Sequence, residues 1–221
     1  MRDDLTAPLA ASAEIAQRAG SWRWVGERGL RIDTGDATLA CYAALEARRF
    51  PEIEDLVPAD GSLLLVLRRG AQPSAGLHAA LAASWSAARP VAGALHEIAV
   101  AYGGADGPDL PALARQAGLD EATYIRQHAA AEYSVAFLGF QPGFPYLRGL
   151  PEALHAPRRP SPRARVAAGS VAVGGSYTGI YPASGPGGWH LIGRAAVSLF
   201  DACREPPALL RAGDRVRFVP A

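Results

Sequence analysis

Residues 169–194 read GSVAVGGSYTGIYPASGPGGWHLIGR, Gly169 to Arg194. Three short apolar runs stand out: Ser170 to Val173, Gly179 to Tyr181 and Trp189 to Ile192, each bounded by clusters of glycine and proline. Runs this short, with turn chemistry between them, are strands of a barrel or sandwich and too brief to be helices. The pattern extends outward through Tyr133 to Phe140 upstream and Val197 to Phe200 and Val216 to Val219 downstream. Two short helices precede it, one starting after Asp109 and ending at Gly118, the next starting after Asp120 with Glu121 in its first turn.

Before Gly103-Gly104 the sequence has a different character. Trp22 to Val25 and Gly29 to Ile32 read as strands around a turn at Gly26 to Arg28, and Asp36 is expected to cap a helix bearing Leu39, Tyr42, Ala43 and Leu45. Ser62 to Leu67 has the look of a central strand. Leu77, Leu81 and Trp85 recur every four residues, giving a second helix that ends before Pro90, and Leu95 to Tyr102 returns as a strand. The expected fold class is α+β: a loose arm over 1–20, a small α/β N-terminal domain over 21–102, and a β-barrel C-terminal domain over 103–221. No internal repeat is visible.

Composition narrows the function. The 221 residues carry 22 basic and 21 acidic side chains, so no charge excess favours nucleic acid or an anionic membrane. Every basic residue is arginine. Without lysine the chain has no P-loop ammonium, no Schiff-base amine and no Ser–Lys dyad. Cys41 and Cys203 lie far apart and outside any CxxC spacing, and Cys41 is expected to be a buried core thiol. The first twenty residues include Asp3, Asp4 and Glu14 with no continuous apolar run, and no segment approaches the roughly 20 apolar residues that cross a bilayer. A cytoplasmic protein is expected.

The chemistry concentrates between Leu138 and Arg194. Leu138 to Leu147 packs two prolines, two glycines and three aromatics into one stretch, a rigid loop suited to a pocket wall or to a small core of its own. Pro157 to Arg165 sets four arginines on a proline-stiffened segment, and guanidinium forks match carboxylate and phosphate oxygens two at a time. Arg158 and Arg163 are favoured because each follows a proline. Gly185 to Gly188 offers backbone amides for an anion-binding nest, with Tyr181 and Trp189 as stacking surfaces, although a tight hairpin anchored by the tryptophan reads equally well. Arg194 ends a strand, as a ligand contact or a structural arginine. His128 lies one turn after Ile125 on an apolar helix face, where a histidine is usually a satisfied core residue; it is carried as a candidate contact. His155 and His190 are less constrained. No HxH, HExxH or GxSxG arrangement appears, so no metal site or recognisable nucleophile is expected within the chain.

These residues also resemble a known family. Gly139-Phe140, Pro142 to Leu147, Pro157-Arg158-Arg159, Pro162-Arg163, Gly169-Ser170-Val171, Thr178 to Pro182, Pro186 to Trp189 and Leu191 to Arg194 are similar to the 5-oxoprolinase B-subunit family, also called the Kip inhibitor or allophanate hydrolase subunit 1 family. Tyr102-Gly103-Gly104 with Gly107 to Leu110 extends the likeness upstream; before residue 100 only the order of elements supports it. The resemblance implies a cyclophilin-like C-terminal barrel. It implies a role in ATP-dependent hydrolysis of 5-oxoproline to glutamate, together with a larger KipA-like C-type subunit and a separate LamB/YcsF-like A-type subunit, with ATP and Mg2+ engaged through the assembled complex. It further implies that Arg158, Arg163 and Arg194 neutralise carboxylate or phosphate while Phe144, Tyr146 and Trp189 shape the pocket; His128, Tyr181, Gly187 and Gly188 complete the candidate set. Relatives include the carboxyltransferase part of urea carboxylase and an inhibitor of a histidine kinase, the alternative functions. Ser176 and Tyr177 stand where the family pattern has Asn-Gln, which bears on specificity.

Overall fold

The computed structural model describes residues 22–82 and 93–221, and these two stretches fall into two separate compact units. The expected arm over 1–20, and Trp85 and Pro90 of the expected second helix, lie outside the described residues.

The first unit is a four-stranded antiparallel sheet backed by two helices. Strands β1 (Trp22–Val25), β2 (Gly29–Asp33), β3 (Ile53–Ala59) and β4 (Ser62–Leu67) lie in the order β1-β2-β4-β3, so Ser62–Leu67 is an inner strand, as its apolar run requires. Helices α1 (Thr38–Arg48) and α2 (Ala75–Leu81) contribute Cys41, Leu45, Leu77 and Leu81 to one core with Leu30, Ile32, Leu63, Leu65 and Leu67. Period-2 strands meet period-4 helices there, which is what two packed layers need. Asp36 does not cap α1. It lies in a 3-10 turn, Gly35–Ala37, and the N-cap residue is Ala37, which makes no side-chain cap hydrogen bond. Strand β3 is not evident from sequence because its charges and Pro58 hide the alternation; an edge strand tolerates both.

The second unit is a closed barrel of seven strands. They are β5 (Leu95–Tyr102), β6 (Glu132–Leu138), β7 (Pro145–Arg148), β9 (Ser170–Gly174), β10 (Tyr177–Ile180), β12 (His190–Ala195) and β13 (Arg215–Pro220), closing in the order β10-β7-β6-β13-β5-β12-β9. Strands β8 (Arg163–Val166) and β11 (Gly185–Gly187) form a separate two-stranded ribbon. The expected boundary at 102/103 is corrected: β5 pairs parallel with β13 and antiparallel with β12, so it completes the barrel and belongs to the second unit. A barrel with a missing stave would leave an open sheet edge, which closure removes. Val197 to Phe200, expected as a strand, contributes only an isolated bridge from Phe200 to Ala208.

Two helices, α3 (Leu110–Gln116) and α4 (Glu121–Ala130), lie where the sequence placed them, and the Asp120 carboxylate caps α4 by accepting the Thr123 N–H at 2.7 Å. Alternation along the barrel strands sorts two apolar clusters. Val171, Val173, Ile180 and Ile192 join the main core, while Ala172, Tyr181 and Leu191 join a second cluster with Phe144, Val166 and Trp189. The aromatic residues of the Leu138 to Arg194 motifs serve mainly that second cluster.

Candidate functional site

The second cluster is built of rings packed edge to face. Phe144 lies 5.1 Å from Tyr181, 5.4 Å from Trp189 and 5.3 Å from Tyr146, centroid to centroid, each steeply tilted. Such contacts add about 0.5–1.5 kcal/mol per pair beyond area burial. Glycine is required where these rings meet the barrel wall: a Cβ on Gly174 would stand 2.6 Å from the Trp189 ring, and one on Gly187 would overlap the Tyr181 hydroxyl. Phe144, Tyr181 and Trp189 are buried, so of the two readings of this aromatic segment the small core is the one that holds for them. Tyr146 is half-buried and stacks on Phe137 at 4.3 Å. The preceding loop carries one irregularity, Phe140, which is 60% exposed with φ of 67°.

The nest reading of Gly185 to Gly188 is corrected. Gly185 and Gly187 pair with Val166 and Arg163 in the ribbon ladder, and none of these glycines has a positive φ, whereas a nest needs successive amides turned by alternating hand. His128 is corrected also. It is fully buried in the main barrel core, stacked on Phe218 at 4.9 Å, with Nδ1 2.8 Å from the Tyr102 hydroxyl and Nε2 3.0 Å from Thr178 Oγ1. The Thr178 hydroxyl donates to Ala172 O, so it accepts from the ring: Nε2 carries the proton and Nδ1 accepts from Tyr102. Burial pulls the His128 pKa from 6.5 down to about 3, so the ring is neutral and fully satisfied.

The arginines separate into three environments. Arg163 is committed to Asp109: its Nη1 and Nη2 donate to the two carboxylate oxygens, each at 2.9 Å. Arg159 donates to the same carboxylate at 3.2 Å, and the Leu191 N–H donates to Asp109 Oδ2 at 2.7 Å. Burial alone would raise the Asp109 pKa, but the Arg163 fork, the Leu191 amide and the Arg159 charge together hold it below the usual carboxylate range. Arg194 is exposed and pairs with Asp106 at 3.5 Å. Arg158 differs from both. It is exposed, has no carboxylate partner among the described residues, and sets its guanidinium carbon 5.9 Å from the centroid of the Trp189 ring. Its backbone is pinned on both sides, by His190 Nε2 on Pro157 O at 2.9 Å and by the Arg159 N–H donating to Gly188 O at 2.8 Å.

Sequence reading missed Asp109, which it took as the start of a helix. Asp109 does precede α3, yet its side chain makes no cap hydrogen bond and turns to the arginines instead. The only available signal was an acidic residue within Gly107 to Leu110, and nothing local distinguishes that from a cap. Next to this corner, Arg159 Nε and Gln141 Oε1 are buried without a hydrogen-bond partner, and the Gln141 amide packs over Gly185 of the ribbon. A guanidinium with an aromatic backing and fixed main chain suits a carboxylate or phosphate oxygen; it does not suit Mg2+. In the first unit, a cleft of about 380 Å3 opens between α1 and β3, lined by Tyr42, Glu46, Arg49 and Phe50 among others.

Known proteins supply independent bearings. The chain is 60% identical to the B subunit of 5-oxoprolinase from Escherichia coli O157:H7 over 124 residues, 56% of this chain and 57% of that protein. It is 50% identical to the corresponding 5-oxoprolinase B subunit of Bacillus subtilis (strain 168) over 123 residues, 56% of this chain and 51% of the relative. The match therefore spans little more than half the length of these curated relatives. Among solved structures, TTHA0988 superposes with a TM-score of 0.74 at 40% identity over 88% of this chain and 40% of that one. Protein PH0987 of Pyrococcus horikoshii gives 0.57 at 34% identity, over 90% and 97% of the two chains. The urea amidolyase of K. lactis shares the fold at 20% identity, with a TM-score of 0.66 over 90% of this chain and 15% of that one. Residues 17–210 match the family described as carboxyltransferase domain, subdomain C and D, and the chain belongs to that family.

Proposed function

We propose that this chain is the B-type subunit of an ATP-dependent 5-oxoprolinase, which opens 5-oxoproline to glutamate in a complex with a C-type and an A-type subunit. The observation that carries this reading is the 60% identity to a protein named as the B subunit of 5-oxoprolinase. The chemistry of the barrel agrees with a supporting rather than a self-sufficient role. Its exposed face offers an arginine on a fixed main chain, Arg158, beside buried rings, while the one histidine on α4 is locked in the core. Both 5-oxoproline and ATP bear oxyanions that such a guanidinium binds, and transfer of a phosphoryl group to the lactam oxygen is what turns a stable amide into an electrophile for water. Mg2+ is engaged through the assembled complex in this reading: the carboxylate that holds the Arg158 segment, Asp109, is already taken up by Arg159, Arg163 and the Leu191 amide. In this reading the complex is cytoplasmic.

The reading is tested by reconstitution: glutamate release from 5-oxoproline and ATP is measured with this chain and its neighbouring subunits, leaving each out in turn. Turnover that is lost without this chain supports it, and turnover that persists without it refutes it. The family description favours one second reading, a component of a carboxyltransferase. In that case the full mixture is inert toward 5-oxoproline and acts only with a biotin carrier, urea and bicarbonate.

A further inference from the structure

We infer that Asp109 is a positioning residue for the oxyanion subsite at Arg158, a role that deepens the proposed function and rests on it. Asp109 is a convergence point for three parts of the barrel unit. Its Oδ2 accepts both the Leu191 N–H of β12 and Arg163 Nη1 at the start of β8, and its Oδ1 accepts Arg163 Nη2 and Arg159 Nη1. Arg158 is the residue immediately before one of these partners. Its own main chain is further held by the Arg159 amide on Gly188 O and by His190 on Pro157 O. The carboxylate thus anchors the segment to a barrel strand, and of the four arginines Arg158 and Arg165 are the two not spent on it, Arg158 being the one set against the Trp189 ring.

The arrangement divides labour among the arginines by charge. Four arginines in the nine residues from Pro157 to Arg165 would repel one another and compete for any anion. Asp109 sets its one negative charge against two of them, taking both fork nitrogens of Arg163 and one of Arg159, and Arg165 donates through Nε to Ser184 Oγ at 3.2 Å. Arg158 is left over the Trp189 ring, whose face stabilises a cation without satisfying its hydrogen-bond donors. A guanidinium placed this way keeps its fork available for two-point capture of a carboxylate or phosphate, and the fixed main chain beneath it lowers the ordering cost of doing so. Asp109 touches no ligand in this scheme; it acts through Arg158.

The test is a double-mutant cycle in the assembled complex. Dissociation constants for 5-oxoproline and for a non-hydrolysable ATP analogue are measured by calorimetry with the wild-type chain, Asp109→Asn, Arg158→Ala and the double variant. The expected result is that Asp109→Asn weakens one of the two ligands by about 10-fold on the wild-type background and by less than about 2-fold when Arg158 is already gone, as coupled residues require. Which ligand responds identifies the oxyanion. An equal loss on both backgrounds, or none on the wild-type background, overturns the positioning role while leaving the site reading intact. If Arg158→Ala changes neither affinity, the site reading itself fails and the positioning role falls with it. Should Asp109→Asn not fold, Arg163→Lys, which keeps the charge but loses the two-point fork, replaces it in the same cycle with the same expected outcomes.

Discussion

Acidification should destabilise the barrel through His128 by an amount that the structure sets. The folded ring is neutral, wedged between the Tyr102 hydroxyl, Thr178 and Phe218, and holds its pKa near 3 against an ordinary 6.5 because burial disfavours the charged form. The unfolded chain takes up a proton as pH falls through 6.5, whereas the folded chain takes none until about pH 3. The contribution is therefore intact above pH 6.5 and is lost progressively below it. Each pH unit between the two values costs about 1.4 kcal/mol, so moving from about pH 7.5 to about pH 5 removes about 2 kcal/mol. Carboxylates also titrate in that range, and a comparison cancels them: the pH-dependent loss in wild type is measured against that in His128→Gln. Denaturant unfolding followed by Trp189 fluorescence, with the other three tryptophans changed to phenylalanine, isolates the barrel transition. The pH-dependent loss should be about 2 kcal/mol larger in wild type; equal losses would refute the buried neutral histidine.

Other consequences are as direct. Gly174→Ala drives a Cβ into the Trp189 ring, which Phe144 and Tyr146 hem in at 5.4 and 5.5 Å, so it should cost about 2 kcal/mol and lower the barrel's melting temperature by roughly 6–10 °C in a thermal scan. Cys41 is buried and its thiol pKa is pushed up to about 12, so at about pH 8 a thiol reagent should titrate exposed Cys203 quickly and Cys41 only on unfolding. The Asp109 and Arg158 cycle gives a third outcome, read in ligand affinity.

Most of the architecture was legible because it rests on periodicity. The inner strand Ser62–Leu67 and the barrel strands from Ser170 onward carry apolar runs between turn residues, and Asp120 caps its helix as its position implies. What failed is non-local. β5 joins the barrel through pairing with β13 at the far end of the chain, with Leu95 opposite Arg215, which no local pattern records. The site was legible in part: Arg158 was singled out and stands exposed, but Arg163, chosen by the same proline rule, is consumed by a carboxylate 54 residues away. The glycines of Gly185 to Gly188 read equally well as an anion nest or a tight hairpin, and the structure uses Gly187 to give room to the Tyr181 hydroxyl inside the protein. A glycine required by packing and one required by a ligand look the same in a sequence.

If this barrel brings Arg158 to the active assembly as an oxyanion contact, the kinetics of 5-oxoproline hydrolysis must depend on that side chain. The most direct test compares the complete mixture containing Arg158→Ala with the same mixture containing the wild-type chain, with folding verified by an unchanged melting temperature. The expected result is that KM for 5-oxoproline or for ATP rises at least about 10-fold, in line with the loss of a charge-assisted pair of hydrogen bonds. Rates and KM values equal to wild type for both substrates would contradict the assignment.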